Sequence, residues 1–227
     1  MTLQVSRTVP SPNHADSWEH GQPNKLFIHS TRSGQPMPPR THDLEMQSTT
    51  NWFSSANSSA SSHLVISPTE IVRVVEDDQP SWHAKEHSWQ AWAIEVTQPQ
   101  IDTPYEEGHY RLLAEAVRHY MALGVPLVHL PSLEWGDIEG GIIGHEESAQ
   151  GIRDGKSDPG SRFDWVRLFN EVRRDEMLTQ EDKDWIDKRI SDALKPINKK
   201  GHERGSRLNE LIKAHQSFVD PYPPEGD

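Results

Sequence analysis

The chain has 227 residues, no cysteine, and 35 Asp and Glu against 23 Lys and Arg, a formal net charge of −12. That length lies just under the ~250 residues at which single cores stop growing, and it allows one domain with an appendage. The absent thiols exclude disulfides, thiolate zinc fingers, iron–sulfur clusters and a cysteine nucleophile, so any metal must use imidazole, carboxylate or water. The acidic balance argues against a nucleic-acid reader, whose affinity comes from cationic surface. No stretch reaches the ~18 apolar residues of a membrane span, and residues 1–10 lack the apolar run of a secretory leader, so the expectation is a cytoplasmic protein. Eight tryptophans in a chain that is 33% hydrophobic point to a folded core flanked by polar segments.

Residues 1–24, punctuated by Pro10, Pro12, Gly21 and Pro23, read as an extended arm. KLFIHS at 25–30 alternates as a short strand, and the Gly- and Pro-rich residues 31–40 read as loop. STTNWFSSANSSASS at 48–62 has linker composition, but a bare linker has no use for Trp52 and Phe53, so a loop laid over the domain is expected. HLVIS and IVRVV on either side of a turn at 67–70 predict a hairpin, and AWAIEV at 91–96 predicts a third strand. Residues 105–123 are the clearest helix: Leu112, Leu113, Ala116, Val117, Tyr120 and Met121 share a face, and Gly124 with Pro126 ends it.

LVHL at 127–130 is strand-like, residues 131–163 show little regular pattern, and 164–170 start another helix. This order predicts an α/β fold, a central mixed sheet flanked by helices. Two amphipathic stretches, 179–194 and 208–219, then predict a helical C-terminal extension over 172–227, leaving 1–171 as the main domain.

Candidate chemistry gathers in a few places. His29 ends a strand, His145 follows a glycine, and Lys156 and Asp158 precede a turn forced by Pro159 and Gly160. Two imidazoles and a carboxylate match the three protein ligands of a catalytic zinc, although spacing alone does not bring His29 to His145. A second pattern, His83-x-x-Glu86-His87, is that of inverted zinc peptidases. It needs a long helix to put both histidines on one face, and Pro80 with the missing apolar stripe sets it aside.

Taken together, FIHST at 27–31, SSHLVIS at 61–67, PSWHA at 80–84, WAIEV at 92–96, GH at 144–145 and KSDPG at 156–160 resemble, in this order, a known family. It is that of the type 2 zinc-dependent N-acetylmuramoyl-L-alanine amidases, which share the peptidoglycan-recognition-protein fold and include many phage endolysins. The resemblance covers residues 22–170 and implies one zinc ion held by His29, His145 and Asp158. It further implies Glu95 as general base toward the attacking water and Lys156 as the group stabilising the oxyanion. Some relatives carry tyrosine and cysteine where Glu95 and Asp158 stand. His63, His83, Trp82 and Trp52 would meet the substrate, with core packing the competing reading for both tryptophans and a structural role for His63.

The bond cut would be the amide joining N-acetylmuramic acid to L-alanine in peptidoglycan. The setting expected is a phage endolysin that waits in the host cytoplasm for a holin. A cytosolic amidase recycling wall fragments and a non-catalytic peptidoglycan-binding module are the alternatives, and the oligomeric state is open. An anionic wall would repel a chain of −12, so Lys195, Lys199, Lys200, Arg204 and Arg207 in the tail are candidate wall contacts.

Overall fold

Six short strands form one mixed sheet in the computed structural model, which describes residues 3–19, 21–32, 41–174 and 188–189. They are β1 (Arg7–Thr8), β2 (Lys25–Ser30), β3 (Leu64–Ile66), β4 (Ile71–Arg73), β5 (Ala91–Val96) and β6 (Gly141–Gly144), in the order β1-β4-β3-β5-β2-β6. Only the β3–β4 hairpin is antiparallel. The mixed sheet flanked by helices is the architecture expected from the sequence.

β2 and β5 are central and covered on both faces, which is why they read as nearly continuous apolar runs. Leu26, Ile28, Trp92, Ile94 and Ile142 face one side, where they pack with Leu113, Val117 and Tyr120 of α2 (Glu107–Ala122) and Leu168 of α4 (Trp165–Arg174). Phe27, Ala91, Ala93 and Ile143 face the other. α2 begins at a reciprocal cap, with the Glu106 backbone N–H donating to His109 Nδ1 at 3.0 Å.

Asp77, just beyond β4, ties α2 to the sheet. Its carboxylate accepts from both Arg73 Nη atoms at 2.8 and 3.1 Å, from His119 Nε2 at 2.7 Å and from Tyr120 Oη at 3.1 Å. Its carbonyl takes the indole N–H groups of Trp18 and Trp92.

Two expectations are corrected. Residues 48–53 are not loop but the second half of α1 (His42–Phe53), whose Met46, Thr50 and Phe53 are buried against β3 and β4 residues. Its Ser, Thr and Asn content hides the helix, yet Thr41 caps it by accepting from the Leu44 N–H at 3.2 Å, and Thr50 Oγ1 donates back to the Met46 carbonyl. Residues 127–130 are not a strand: His129 makes a single bridge to Ile142, and the strand beside β2 is β6, four residues with two glycines. Within the expected arm, Arg7–Thr8 forms β1, which adds to the β4 edge.

The chain separates into the units Met1–Asp175 and Glu176–Asp227, and α4 carries the first past residue 171. The tail stretches 179–194 and 208–219 and the five basic candidates lie outside the described residues, apart from Lys188 and Arg189, which are helical.

Candidate active site

The site grows from the C-terminal ends of three adjacent strands. In β2 and β5, His29 stands directly opposite Glu95, so both side chains leave the same face of the sheet. In β2 and β6, Ile28 stands opposite Gly144, which puts His145, the first residue of the 3-10 turn His145–Glu147, beside His29. Asp158 arrives from the loop beyond α3 (Ala149–Arg153). That helix packs so tightly on the turn that a Cβ at Gly151 would fall 1.8 Å from the His145 carbonyl oxygen, which only glycine avoids.

Three donor atoms converge: His29 Nδ1 lies 3.0 Å from His145 Nδ1 and 3.1 Å from Asp158 Oδ2, and His145 Nδ1 lies 3.3 Å from the same oxygen. The outer partners decide where the ring protons are. The Ala91 carbonyl can only accept, so His83 Nε2 donates to it at 3.2 Å, and His83 Nδ1 accepts from His29 Nε2 at 3.0 Å. Gln150 donates its amide to Asp154 at 2.7 Å, so its Oε1 accepts from His145 Nε2 at 2.8 Å. Both Nδ1 atoms are therefore bare lone pairs aimed at each other and at a carboxylate oxygen.

Such a trio repels itself unless a cation sits among its members. A tetrahedral zinc with bonds of about 2.0–2.1 Å separates its ligand atoms by roughly 3.3–3.4 Å, close to the observed spacing. His29, His145 and Asp158 are the one group among the described residues able to hold a metal ion. Burial, followed by the neighbouring His145, pushes the His29 imidazole down to about 4, so it is uncharged at neutral pH.

Glu95 is half-buried, and its Oε2 is inaccessible and without a hydrogen-bond partner. Burial raises its pKa well above the usual carboxylate value; Asp158 adds to this and Lys156 works against it. Lys156 is exposed on the Asp158 loop, its backbone N–H held by the Gly151 carbonyl at 2.8 Å.

The four residues expected to meet substrate divide. Trp52 at the end of α1 is 55% exposed and Trp82 is 42% exposed, so both present ring surface to solvent. His63 is 0% exposed: it stacks on Trp18, donates to the Gln79 carbonyl, and accepts from Ser81 Oγ and the Ala93 N–H. A ring so enclosed has no face to offer, and its expected substrate contact is corrected to a structural role. His83 has both ring nitrogens committed, one to the Ala91 carbonyl and one to His29, which it backs. That backing role, and Gln150's, carried no sequence signal beyond the PSWHA motif. The H-x-x-E-H stretch is a 3-10 turn, Lys85–Trp89, with His87 fully buried and hydrogen-bonded to Gln90.

The N-acetylmuramoyl-L-alanine amidase family matches residues 19–161, and the chain belongs to that family. It is an enzyme of the N-acetylmuramoyl-L-alanine amidase class, acting on peptidoglycan. Among solved structures, a selenomethionine derivative of AmpD superposes with a TM-score of 0.55 at 24% identity, over 76% of this chain and 99% of that one. The Staphylococcus aureus hydrolase AmiA in complex with its ligand superposes with a TM-score of 0.50 at 15% identity, over 77% of this chain and 87% of that one. Both have this fold. No curated protein matches the chain in sequence.

Proposed function

We propose that His29, His145 and Asp158 hold one zinc ion and that the chain uses it to hydrolyse the amide between N-acetylmuramic acid and L-alanine, as a phage endolysin. The observation that carries this reading is the pair of bare Nδ1 lone pairs facing a shared carboxylate oxygen, with both tautomers set from outside. A zinc ion there would supply Lewis acidity, polarising the scissile carbonyl and acidifying water.

The chain's own groups do the rest. Glu95, sharing the face of His29, takes a proton from the attacking water; its elevated pKa suits a base that must also give the proton up. The hydroxide adds to the lactyl carbonyl carbon, and the Lys156 ammonium stabilises the oxyanion. As the C–N bond breaks, the proton held by Glu95 passes to the departing nitrogen, leaving a lactyl carboxylate and a free alanine amine. Trp52 and Trp82 offer flat apolar surface for sugar or stem peptide.

The lytic setting, rather than recycling of released fragments, is supported by the unit Glu176–Asp227 beyond the amidase unit. Within it, residues 195–207 hold Lys195, Lys199, Lys200, Arg204 and Arg207 against Glu203, a local basic cluster in a chain of −12 that must approach an anionic polymer. Among the described residues no helix is long and apolar enough to cross a membrane.

Mass spectrometry of digested sacculi tests the reaction, because a new free amine on L-alanine identifies the bond. Stoichiometric zinc without cleavage would instead indicate a binding module. Cleavage of soluble fragments but not of sacculi would indicate recycling. Removing residues 176–227 should weaken sedimentation with sacculi, and unchanged sedimentation discards the tail's role.

A further inference from the structure

The three ligands are not held alike. His29 and His145 sit on or next to paired strands, whereas Asp158 lies in a loop between α3 and α4 that is part of no strand or helix. A carboxylate one carbon from the backbone is only as well placed as that backbone. Three consecutive carbonyls of this loop accept hydrogen bonds from elsewhere in the chain. Ser157 O accepts from Arg32 Nη1, Asp158 O from the Glu146 N–H at 2.9 Å, and Pro159 O from Arg32 Nη2 at 2.5 Å and from Tyr105 Oη at 3.0 Å.

Arg32 follows His29 by three residues and leaves the same strand. Its Nη1 also donates to Ser157 Oγ at 2.7 Å, and its Nε donates to Gln98 Oε1 at 2.7 Å. Gln98 is fixed in turn, because its Nε2 donates to the Thr103 carbonyl at 2.8 Å. Gly160, at φ +79°, makes the room: a Cβ there would lie 2.1 Å from Arg32 Nη2. Arg32 itself has φ +30°, in the left-handed region unfavourable for a side chain of its size. The conformation persists because the guanidinium is engaged on three sides.

We infer that Arg32 is a positioning residue for the reaction, clamping the backbone on both sides of Asp158 so that its carboxylate meets the Nδ1 atoms of His29 and His145. This rests on the proposed zinc site. The fork also fixes the loop that carries Lys156. Only a planar guanidinium reaches Ser157 O, Pro159 O and Gln98 Oε1 at once; a lysine offers one point charge.

The test measures zinc affinity by competition with a chromophoric chelator on the full chain, with circular dichroism as the control for folding. Arg32→Ala should bind zinc roughly 10–100-fold more weakly, the range typical for loss of a residue that supports a ligand. Arg32→Lys should recover little of this, and millimolar guanidinium added to Arg32→Ala should restore much of it, which a general loss of stability would not allow. Tyr105→Phe removes one hydrogen bond to Pro159 O and should give a smaller loss in the same direction. Unchanged zinc affinity in Arg32→Ala overturns the clamp while leaving the metal site standing, whereas wild-type protein that takes up no zinc overturns both. If Arg32→Ala fails to fold, Arg32→Lys and Tyr105→Phe decide, and wild-type affinity in both rejects the inference.

Discussion

At the scale of single residues, Glu95 is the proposed base, and its environment sets how tightly it holds a proton. One carboxyl oxygen is shut away with no partner, and burial and then Asp158 favour its protonated form, with Lys156 opposing them. As the proposed base, Glu95 must be deprotonated to act, so activity should rise with pH as it loses its proton. The acid limb of kcat/KM should lie well above the ordinary glutamate value of about 4.3. Replacing Lys156 by methionine removes the influence that lowers the Glu95 pKa, so the limb should move to still higher pH while the rate falls. Glu95→Gln should retain zinc and lose about 10²–10⁴-fold in turnover; a variant that also loses zinc would show Glu95 to be a ligand. His83 acts one step back. It accepts a hydrogen bond from His29 Nε2, which leaves His29 Nδ1 bare toward the proposed zinc. His83→Ala should weaken zinc by roughly 10–100-fold in a chelator competition, and an unaltered constant would mean that strand geometry alone orients His29.

At the scale of elements, the site is a consequence of three parallel strands ending together, and the sequence discloses this unevenly. β2, β5 and α2 are legible because burial forces long apolar patterns on them. α1 is masked by a polar composition that satisfies itself locally through Thr41 and Thr50, and β6 by being four residues with glycine at each end. The ligand candidates His29, His145 and Asp158 and the neighbouring Glu95 were legible as residue types in motifs, and the fold places them together. What no motif carries is support from far along the chain: Arg32 on the 157–159 backbone, Gln150 on His145, and the enclosure of His63 under Trp18. Asp77 is a support of the same kind on the opposite side of the sheet, since it holds Arg73, His119, Tyr120 and two indoles. Asp77→Ala leaves the partly buried Arg73 guanidinium with the Val75 carbonyl and the more distant Glu76 carboxylate in place of its bidentate partner, and should cost about 3 kcal/mol, roughly 10 °C in Tm for a domain of this size. Zinc affinity should not change, and a lowered affinity in a folded Asp77→Ala protein would mean that the two faces of the sheet are coupled.

For the molecule as a whole, the buried histidines set how the fold responds to acid. Burial holds His63 at about 4, and burial followed by the neighbouring His42 holds His109 at about 3, against an unfolded value of about 6.5. Neither touches the candidate ligand trio: His63 lies beneath Trp18, and His109 bonds Thr97 Oγ1 and the Glu106 N–H. Below about pH 6.5 the unfolded chain binds protons at these two positions that the folded chain refuses, so the free energy of unfolding falls as pH falls, until the folded rings themselves titrate. Asp77 acts in the same direction lower on the scale: its depressed carboxyl contributes stability above its ordinary value that is lost as pH descends through the folded one. Urea unfolding of zinc-free protein at pH 7, 6 and 5 should therefore give a steadily smaller stability, with each unit of pKa separation worth about 1.4 kcal/mol. His63→Gln should be less stable than wild type at pH 7, because it loses the stacked ring, yet its stability should fall less steeply between pH 7 and 5, because one acceptor of the unfolded-state proton is gone. Equal slopes in the two proteins would show that His63 is protonated, and hence solvated, in the folded state, which its complete enclosure forbids.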